Sequence, residues 1–162
     1  APATASRSGG LEASLTIDFP STAIGRQSLA MRVTPQSFRE DLSESRTFTL
    51  AEEVAALRAA GLARGGSLAN AVVVDGPLVL NPGGLRRPDE FVRHKLLDAV
   101  GDLALAGAPL RARFSGHRSG HRLNNRLLHA LFADAANWRF FAPAAEGAAS
   151  VRLPAAAAPA AA

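Results

Sequence analysis

The sequence predicts an α+β fold in which a small mixed sheet packs against two main helices. Segments whose apolar residues alternate with a period of two are interleaved with segments whose apolar residues recur every three to four positions. Short links that resemble hairpin turns join several of the predicted strands. At 162 residues, 48% of them hydrophobic, the chain is long enough to form one domain with a core of leucine, valine and phenylalanine.

The predicted strands alternate apolar and polar residues or form short apolar runs. Residues 11–19 alternate, and residues 28–33 alternate in the same way. We expect these two segments to pair across the loop formed by residues 20–26. The predicted strands are, in chain order, residues 11–19, 28–33, 70–75, 78–80 and 110–114.

The first two predicted helices begin at threonine caps. Thr34 is the expected N-cap of the first helix, and Pro35 occupies its first helical position. Thr49 is expected to cap a second helix over residues 50–62, through a capping box with Glu52.

The two main helices are expected over residues 90–106 and residues 121–134. The longer one opens with Pro88, Asp89 and Glu90, where a missing N–H is harmless and acidic groups favour the positive end of the helix dipole. Apolar positions on the predicted helices define the faces that pack on the core. They are Phe38, Leu42, Val54, Leu57, Ala60, Val92, Leu96, Val100, Leu103, Leu123, Leu127, Leu128 and Leu131.

Composition excludes several classes of protein. The chain has no cysteine, which excludes a disulfide scaffold, a zinc finger and an iron–sulfur site. The longest apolar runs, such as residues 71–74 and 103–108, are far shorter than the ~20 residues of a membrane-spanning helix. The first ten residues are small and polar, unlike a secretory signal. We therefore expect no membrane span.

Both ends of the chain are rich in alanine, proline and glycine. Such segments bury too little apolar surface to offset the entropy of ordering, so residues 1–10 and 142–162 are predicted to be disordered tails. The folded domain is expected over residues 11–141.

The longer main helix carries candidate metal ligands. His94, Asp98 and Asp102 follow one another at single-turn spacing and share one face. A histidine and an aspartate at this spacing lie close enough to bind one metal ion. Gly101 leaves space beside them, although glycine lowers helix stability. The alternative is a solvated polar face, and the spacing alone leaves both possibilities open.

A basic stretch occupies residues 111–126 in a chain whose net charge is +4. Its glycine-containing loop leads into a helix N-terminus, an arrangement that suits phosphate, and the alternative is a solvated basic loop. His121, in the first turn of that helix, is a candidate general acid if Asp102 orients its ring. His117 and His129 are interpreted as surface histidines.

Two strings carry a family resemblance: NAVVVDGPLVLNPGGLRRPDEFVRHKLLDAVGDLALAG and FSGHRSGHRLNNRLLHAL. They closely resemble the C-terminal half of the zinc-dependent UDP-3-O-acyl-N-acetylglucosamine deacetylases, the LpxC family of lipid A biosynthesis. Upstream, the segments LTIDF, PSTAIGRQ, SRTF and GLARGGSLANAVVVDG continue the resemblance. It covers residues 11–140.

The resemblance implies roles for five residues. His94 and Asp98 match two of the three protein ligands of the zinc ion. His121 matches the catalytic histidine that protonates the leaving amine, and Asp102 matches the acid that orients it. Thr47 matches a hydroxyl that stabilises the oxyanion.

The resemblance also implies a substrate-binding surface. Phe48 is expected against the sugar, and Lys95 and Arg118 near the diphosphate of the UDP-sugar. The segment over residues 47–71 is similar to a β-α insert that forms an apolar passage for the acyl chain. The residues expected to line that passage are Gly66, Ser67 and Ala71.

This chain departs from the family in its ligand set. The family enzymes contain two similar domains that form a sandwich, and the third zinc ligand and the general base lie as adjacent His and Glu in the N-terminal half. No adjacent His and Glu occur here. We therefore expect this chain to carry only the C-terminal half of the site, to need a separate N-terminal domain as partner, and to be inactive alone.

Two alternatives to a cytoplasmic zinc deacetylase remain. One is a basic module that binds phosphate or nucleic acid through residues 111–126. Phe114 is the single aromatic residue there, which counts against base stacking, so we expect no nucleic acid partner. The other is a non-catalytic homologue, in which the joint presence of Asp102 and His121 would be accidental.

Overall fold

The computed structural model describes residues 4–6, 10–61 and 65–141. In this part of the chain, strands and helices are interleaved as the α+β prediction requires, and the strands form two small sheets. The predicted tail over residues 142–162 lies outside the described residues, as do residues 1–3 and 7–9 of the predicted N-terminal tail.

The first sheet has four strands, which lie in the order β1 (Thr4–Ser6), β7 (Ala112–His117), β2 (Leu11–Phe19) and β3 (Gly25–Val33). β2 and β3 form the predicted antiparallel hairpin, with Leu11 opposite Val33. β7 runs parallel to β2 and begins two residues later than predicted. The period-two alternation of β2 buries one of its faces, formed by Ala13, Leu15 and Ile17.

β1 (Thr4–Ser6) pairs antiparallel with β7. These three residues fall within the segment for which the composition predicts a disordered tail. Their pairing covers the edge of β7, whose backbone N–H and C=O groups can form hydrogen bonds with a further strand.

The second sheet is built from β4 (Thr47–Leu50), β5 (Ala71–Asp75) and β6 (Leu78–Val79). β4 and β5 are parallel, and β5 and β6 are antiparallel. α2 (Ala51–Ala59) follows β4 directly. Val72 and Val74 of β5 are completely buried, as expected for a short apolar strand.

The four α-helices of the described residues differ from the predictions mainly at their ends. α1 (Pro35–Ser37) has the predicted cap, since Thr34 Oγ1 accepts a hydrogen bond from the Ser37 N–H at 3.0 Å. α2 begins after Thr49 and Leu50, which lie in β4, and Glu53 rather than Glu52 accepts from the Leu50 N–H. The main helices are α3 (Glu90–Ala104) and α4 (His121–Phe132).

Three inward-facing predictions are wrong. Phe38 is 36% exposed because the segment that follows α1, Phe38–Leu42, is a π-helical turn. A π-helix has more residues per turn than an α-helix, so a step of four residues no longer returns to the same face, and Leu42 alone is buried. Leu123 is exposed on the outer side of α4, and Ala60 is exposed just after α2.

The core lies between α3 and the two sheets. Val92, Leu96 and Leu103 are buried as predicted, and Val100 packs against the same core with partial exposure. The burial of each large apolar side chain contributes about 1.5–3 kcal/mol, so this face fixes the rotation of α3 about its axis. The opposite face of α3, which carries the predicted site residues, is thereby directed away from the core.

Candidate functional site

His94, Asp98 and Asp102 lie on successive turns of α3, on the face that the core leaves free. Their side chains are only partly exposed, at 14%, 15% and 12%. The helix therefore presents three polar groups in a line, within a partly enclosed surface rather than in open solvent.

His94 is held through one of its ring nitrogens. Nδ1 lies 3.2 Å from the backbone carbonyl oxygen of Ser45. Because a carbonyl oxygen only accepts, the contact places a proton on Nδ1, and in the neutral ring the lone pair is then on Nε2. Nε2 lies 3.4 Å from Asp98 Oδ1. The ring thus presents its basic nitrogen toward the carboxylate one turn away.

Asp98 is shared among three neighbours. Besides its contact with His94, it accepts a hydrogen bond from Lys95 Nζ at 2.8 Å through Oδ2. The same oxygen lies 3.9 Å from Nε2 of His121. Asp98 therefore connects the His94 side of the site with the His121 side.

His121 stands at the first position of α4, directly after Gly120. Its Nδ1 lies 2.9 Å from Oδ1 and 3.0 Å from Oδ2 of Asp102, the contact that the sequence predicts. Asn124 Nδ2 donates to Asp102 Oδ2 at 2.8 Å. A carboxylate that accepts from Nδ1–H leaves Nε2 as the nitrogen that faces Asp98 and the cavity.

These groups border a cavity of about 450 Å³. Four predicted site residues on α3 and α4 and two on β4 contribute to it. Its wall consists of Phe19, Thr47, Phe48, Thr49, Leu50, Glu53, His94, Lys95, Asp98 and His121. Asp102 lies behind His121, outside this wall.

Phe48 links the cavity to the core through edge-to-face ring contacts. Its ring centroid lies 5.1 Å from that of Phe91, 5.6 Å from that of Phe19 and 6.2 Å from that of His94. Such contacts stabilise a defined ring orientation. The apolar wall is therefore packed directly against the histidine.

The other predicted substrate-binding residues lie off this cavity wall. Gly66 and Ser67 are exposed in the turn before β5, and Ala71 pairs with Thr47 in the β4–β5 ladder without lining the cavity. Arg118 is exposed, with a left-handed backbone (φ 50°) and its N–H bonded to the Thr16 carbonyl at 2.8 Å. The structure does not bring these four residues together with His94 and His121.

A buried ion pair, which the sequence does not reveal, supports the start of α3. Glu90, 1% exposed, accepts from Arg46 Nε at 2.8 Å and from the Arg46 and Arg86 backbone N–H groups. Burial by itself would raise the pKa of Glu90, but these hydrogen bonds outweigh it and hold that pKa below its usual value. Arg46 lies between Ser45 and Thr47, so the pair fixes the segment that contacts His94.

Two side chains of the site fit a zinc ion. Ligand atoms about 2.0–2.1 Å from a tetrahedral zinc ion lie about 3.3 Å from each other. His94 Nε2 and Asp98 Oδ1 are 3.4 Å apart. Within the described residues, no group of three His, Cys, Asp or Glu side chains is placed to hold a metal ion. His94 and Asp98 therefore have the separation of two zinc ligands, and the described residues add no third.

The fold and the site define an α+β domain whose two main helices bring a histidine and an aspartate, His121 and Asp102, into contact beside a cavity. A family profile described as "LpxC: UDP-3-O-acyl N-acetylglycosamine deacetylase" matches residues 2–133. The chain belongs to the LpxC family, as the resemblance of its sequence predicts.

Curated relatives carry the name UDP-3-O-acyl-N-acetylglucosamine deacetylase. The relative from Phenylobacterium zucineum is 56% identical over 128 residues, which are 79% of this chain and 44% of the relative. The relative from Chromobacterium violaceum is 50% identical over 133 residues, or 81% of this chain and 44% of the relative. This chain thus spans less than half the length of these relatives. None of the helices in the described ranges is long and apolar enough to cross a bilayer.

Proposed function

We propose that this chain forms the C-terminal half of the active site of a cytoplasmic, zinc-dependent deacetylase. The proposed reaction is hydrolysis of the N-acetyl group of UDP-3-O-acyl-N-acetylglucosamine in lipid A biosynthesis. The observation that carries the proposal is the continuous series of contacts from His94 through Asp98 and His121 to Asp102 along the cavity. Membership of the LpxC family supports the same substrate.

His94 and Asp98 are the residues that would hold zinc. Nε2 of His94 is the free nitrogen, because the Ser45 carbonyl occupies Nδ1. Bound zinc would supply Lewis acidity toward the amide carbonyl and lower the pKa of a water molecule. Asp98 would also keep Lys95 near the cavity through their hydrogen bond.

His121 is the proposed general acid. Asp102 holds the proton of Nδ1, so Nε2 is the nitrogen that carries the transferable proton when the ring is protonated. That proton would pass to the nitrogen of the leaving amine as the C–N bond breaks. The positive ring and the Thr47 hydroxyl, which lies on the same cavity wall, would stabilise the oxyanion of the tetrahedral intermediate.

The substrate would lie across the cavity. Phe48 offers an apolar ring for the sugar, and Lys95 offers a cation for the diphosphate. Arg118 is proposed as a second phosphate contact, from the exposed loop before α4. The passage for the acyl chain is assigned to the β4–β5 region, with Gly66, Ser67 and Ala71 along it.

A partner domain completes the proposed site. The described residues supply two candidate zinc ligands and no third, and the chain corresponds to less than half of its relatives' length. We infer that an N-terminal domain provides a third ligand and the general base that activates water. The isolated chain is then expected to bind zinc weakly and to be inactive.

The experiment compares this chain alone with the same chain joined to the N-terminal half of the Phenylobacterium zucineum relative. Bound zinc and the release of acetate from UDP-3-O-acyl-N-acetylglucosamine are measured for both. We expect stoichiometric zinc and deacetylation for the joined protein only. Absence of acetate release from the zinc-loaded joined protein would contradict the proposal.

Three variants of the joined protein assign the residue roles. His121→Ala is expected to abolish acetate release and to retain zinc, whereas Asp98→Ala is expected to lose zinc as well. His129→Ala is the matched control, because His129 is an exposed histidine on the same helix. Full activity of His121→Ala would show that His121 is not the general acid.

A further inference from the structure

Two asparagines are buried in the described part of the chain, and they are bonded differently. Asn81, 5% exposed, has all its amide atoms paired with backbone. Its Oδ1 accepts from the Val73 N–H at 2.8 Å, and its Nδ2 donates to the carbonyls of Leu68 and Ala71. Asn81 therefore connects strand β5 to the turns around it, and its role is structural.

Asn124, 1% exposed, is bonded to a side chain of the site instead. Its Nδ2 donates to Asp102 Oδ2 at 2.8 Å, while its Oδ1 has no hydrogen-bond partner among the described residues. A buried, unpaired amide oxygen lowers the free energy of unfolding. The fold alone therefore does not account for this amide, whereas its one hydrogen bond is directed at the acid behind His121.

α4 contacts Asp102 at two points. His121 and Asn124 are three residues apart on α4, so both side chains project from one face toward the same carboxylate on α3. The His121 side chain is 64% exposed, whereas that of Asp102 is 12% exposed. An exposed ring keeps its orientation only if the group that holds it is itself fixed.

We infer that Asn124 is a positioning residue that fixes the rotation of Asp102 and thereby keeps the proton of His121 on Nδ1. The inference rests on the proposed role of His121 as general acid. With Oδ2 occupied by the Asn124 amide, the carboxylate stays oriented toward Nδ1–H, and Nε2 stays directed at the cavity. Without the amide, the carboxylate turns, and the exposed ring populates its second tautomer.

The test uses the whole chain, with 15N-labelled histidine, in wild-type, Asn124→Leu and Asn124→Ala forms. Ring 15N shifts at a pH where the ring is neutral report which nitrogen of His121 carries the proton. The wild type is expected to show the Nδ1–H form alone. Both variants are expected to show a mixture of the two tautomers. Asn125→Ala, at the neighbouring asparagine of α4, is the matched control and is expected to give the wild-type spectrum.

A second measurement separates positioning from a merely structural role. In the joined protein, substitution of Asn124 is expected to lower kcat by about 10–100-fold and to change KM little. A loss of this size is typical when the hydrogen-bond partner of a functional side chain is removed. Asn81→Ala is expected to lower the melting temperature and to leave the His121 spectrum of the folded protein unchanged.

The outcomes are distinct. A wild-type His121 spectrum in the folded Asn124 variants would overturn the inference. Failure of both Asn124 variants to fold, under conditions in which Asn81→Ala folds, would assign Asn124 to the fold and also overturn it. If the wild-type joined protein releases no acetate, the proposed function fails, while the spectra still decide whether Asn124 fixes the proton on His121.

Discussion

Glu90 and Asp98 lie two turns apart on α3, and their carboxylates have contrasting surroundings. Glu90 is 1% exposed and accepts four hydrogen bonds, three from Arg46 and one from the Arg86 backbone. Asp98 is 15% exposed, and among the described residues its carboxylate accepts one hydrogen bond, from Lys95, with two histidine nitrogens at 3.4 and 3.9 Å. The first carboxylate is saturated by protein groups, whereas the second has capacity for a further partner.

The contrast separates a carboxylate that the fold encloses from one on the same helix whose proposed role is in the candidate site. The Glu90 ion pair joins α3 to the segment before β4, and it fixes the Ser45 carbonyl that holds His94. The contacts of Asp98 are with Lys95, His94 and His121 instead. Removal of each carboxylate should therefore change different properties of the protein.

The largest expected effect is on folding. Glu90→Gln leaves the buried Arg46 guanidinium without its counter-charge, so we expect the free energy of unfolding to fall by about 3–5 kcal/mol, measured by urea denaturation. Glu44→Gln is the control, since its ion pair with Arg86 has a length of 3.7 Å and its side chain is 81% exposed. That variant is expected to change stability by about 1 kcal/mol or less. If both variants lost the same free energy of unfolding, Glu90 would be no more important to the fold than an exposed carboxylate.

The stabilisation from Glu90 should disappear in acid. Because the pKa of Glu90 is lower in the folded chain than in the unfolded chain, its contribution is present above the unfolded pKa and is lost as pH falls through the folded pKa. Asp89 shifts in the same direction, since the Arg93 hydrogen bond lowers its pKa. Urea denaturation between pH 7 and pH 2 measures this loss. The free energies of unfolding of the wild type and of Glu90→Gln should approach each other as the pH falls. A constant difference would contradict this assignment.

Asp98 should affect metal binding more than folding. Asp98→Asn is expected to weaken zinc binding by at least about tenfold, or 1.4 kcal/mol, in competition with a chelating dye. Its free energy of unfolding without metal should change by about 1 kcal/mol or less, because its ion pair with Lys95 is partly exposed. A stability loss as large as that of Glu90→Gln would mean that Asp98 belongs to the framework.

The smallest expected effect has the opposite sign. Lys95 competes for Asp98 Oδ2 at 2.8 Å. Lys95→Met removes the competing cation, so we expect zinc to bind more tightly to the isolated chain. The gain should be at most about fivefold, because the ion pair that zinc no longer has to break contributes about 1 kcal/mol or less. Weaker zinc binding in Lys95→Met would show that the ammonium group assists the site.

Local periodicity was sufficient to predict the framework of the site. Apolar residues of α3 recur every three to four positions, which places His94, Asp98 and Asp102 together on the other face. The contact of His121 with Asp102 also agrees with the prediction. The shared face of α3 depends on neighbours within one helix. The contact of His121 with Asp102 joins α3 to α4 across β7, and its prediction follows from the family resemblance rather than from periodicity.

Features that depend on distant partners were not predictable in this way. Arg46 and Glu90 are 44 positions apart, and an acidic residue at a helix start is equally typical of a solvated end. Asn124 lies within a polar segment, and the sequence there contains no pattern that predicts which asparagine is buried and which is exposed. The exposure of Phe38 follows from a π-helical turn that has no periodic signal.

α2 has no buried side chain, yet Glu53 on its first turns borders the cavity. Segments with few buried apolar contacts open at low free energy, and their amide hydrogens exchange before those of the core. α3, whose apolar face is buried, should exchange slowest. The rim of the cavity formed by α2 is therefore expected to open more readily than the rim formed by α3, which carries His94 and Asp98.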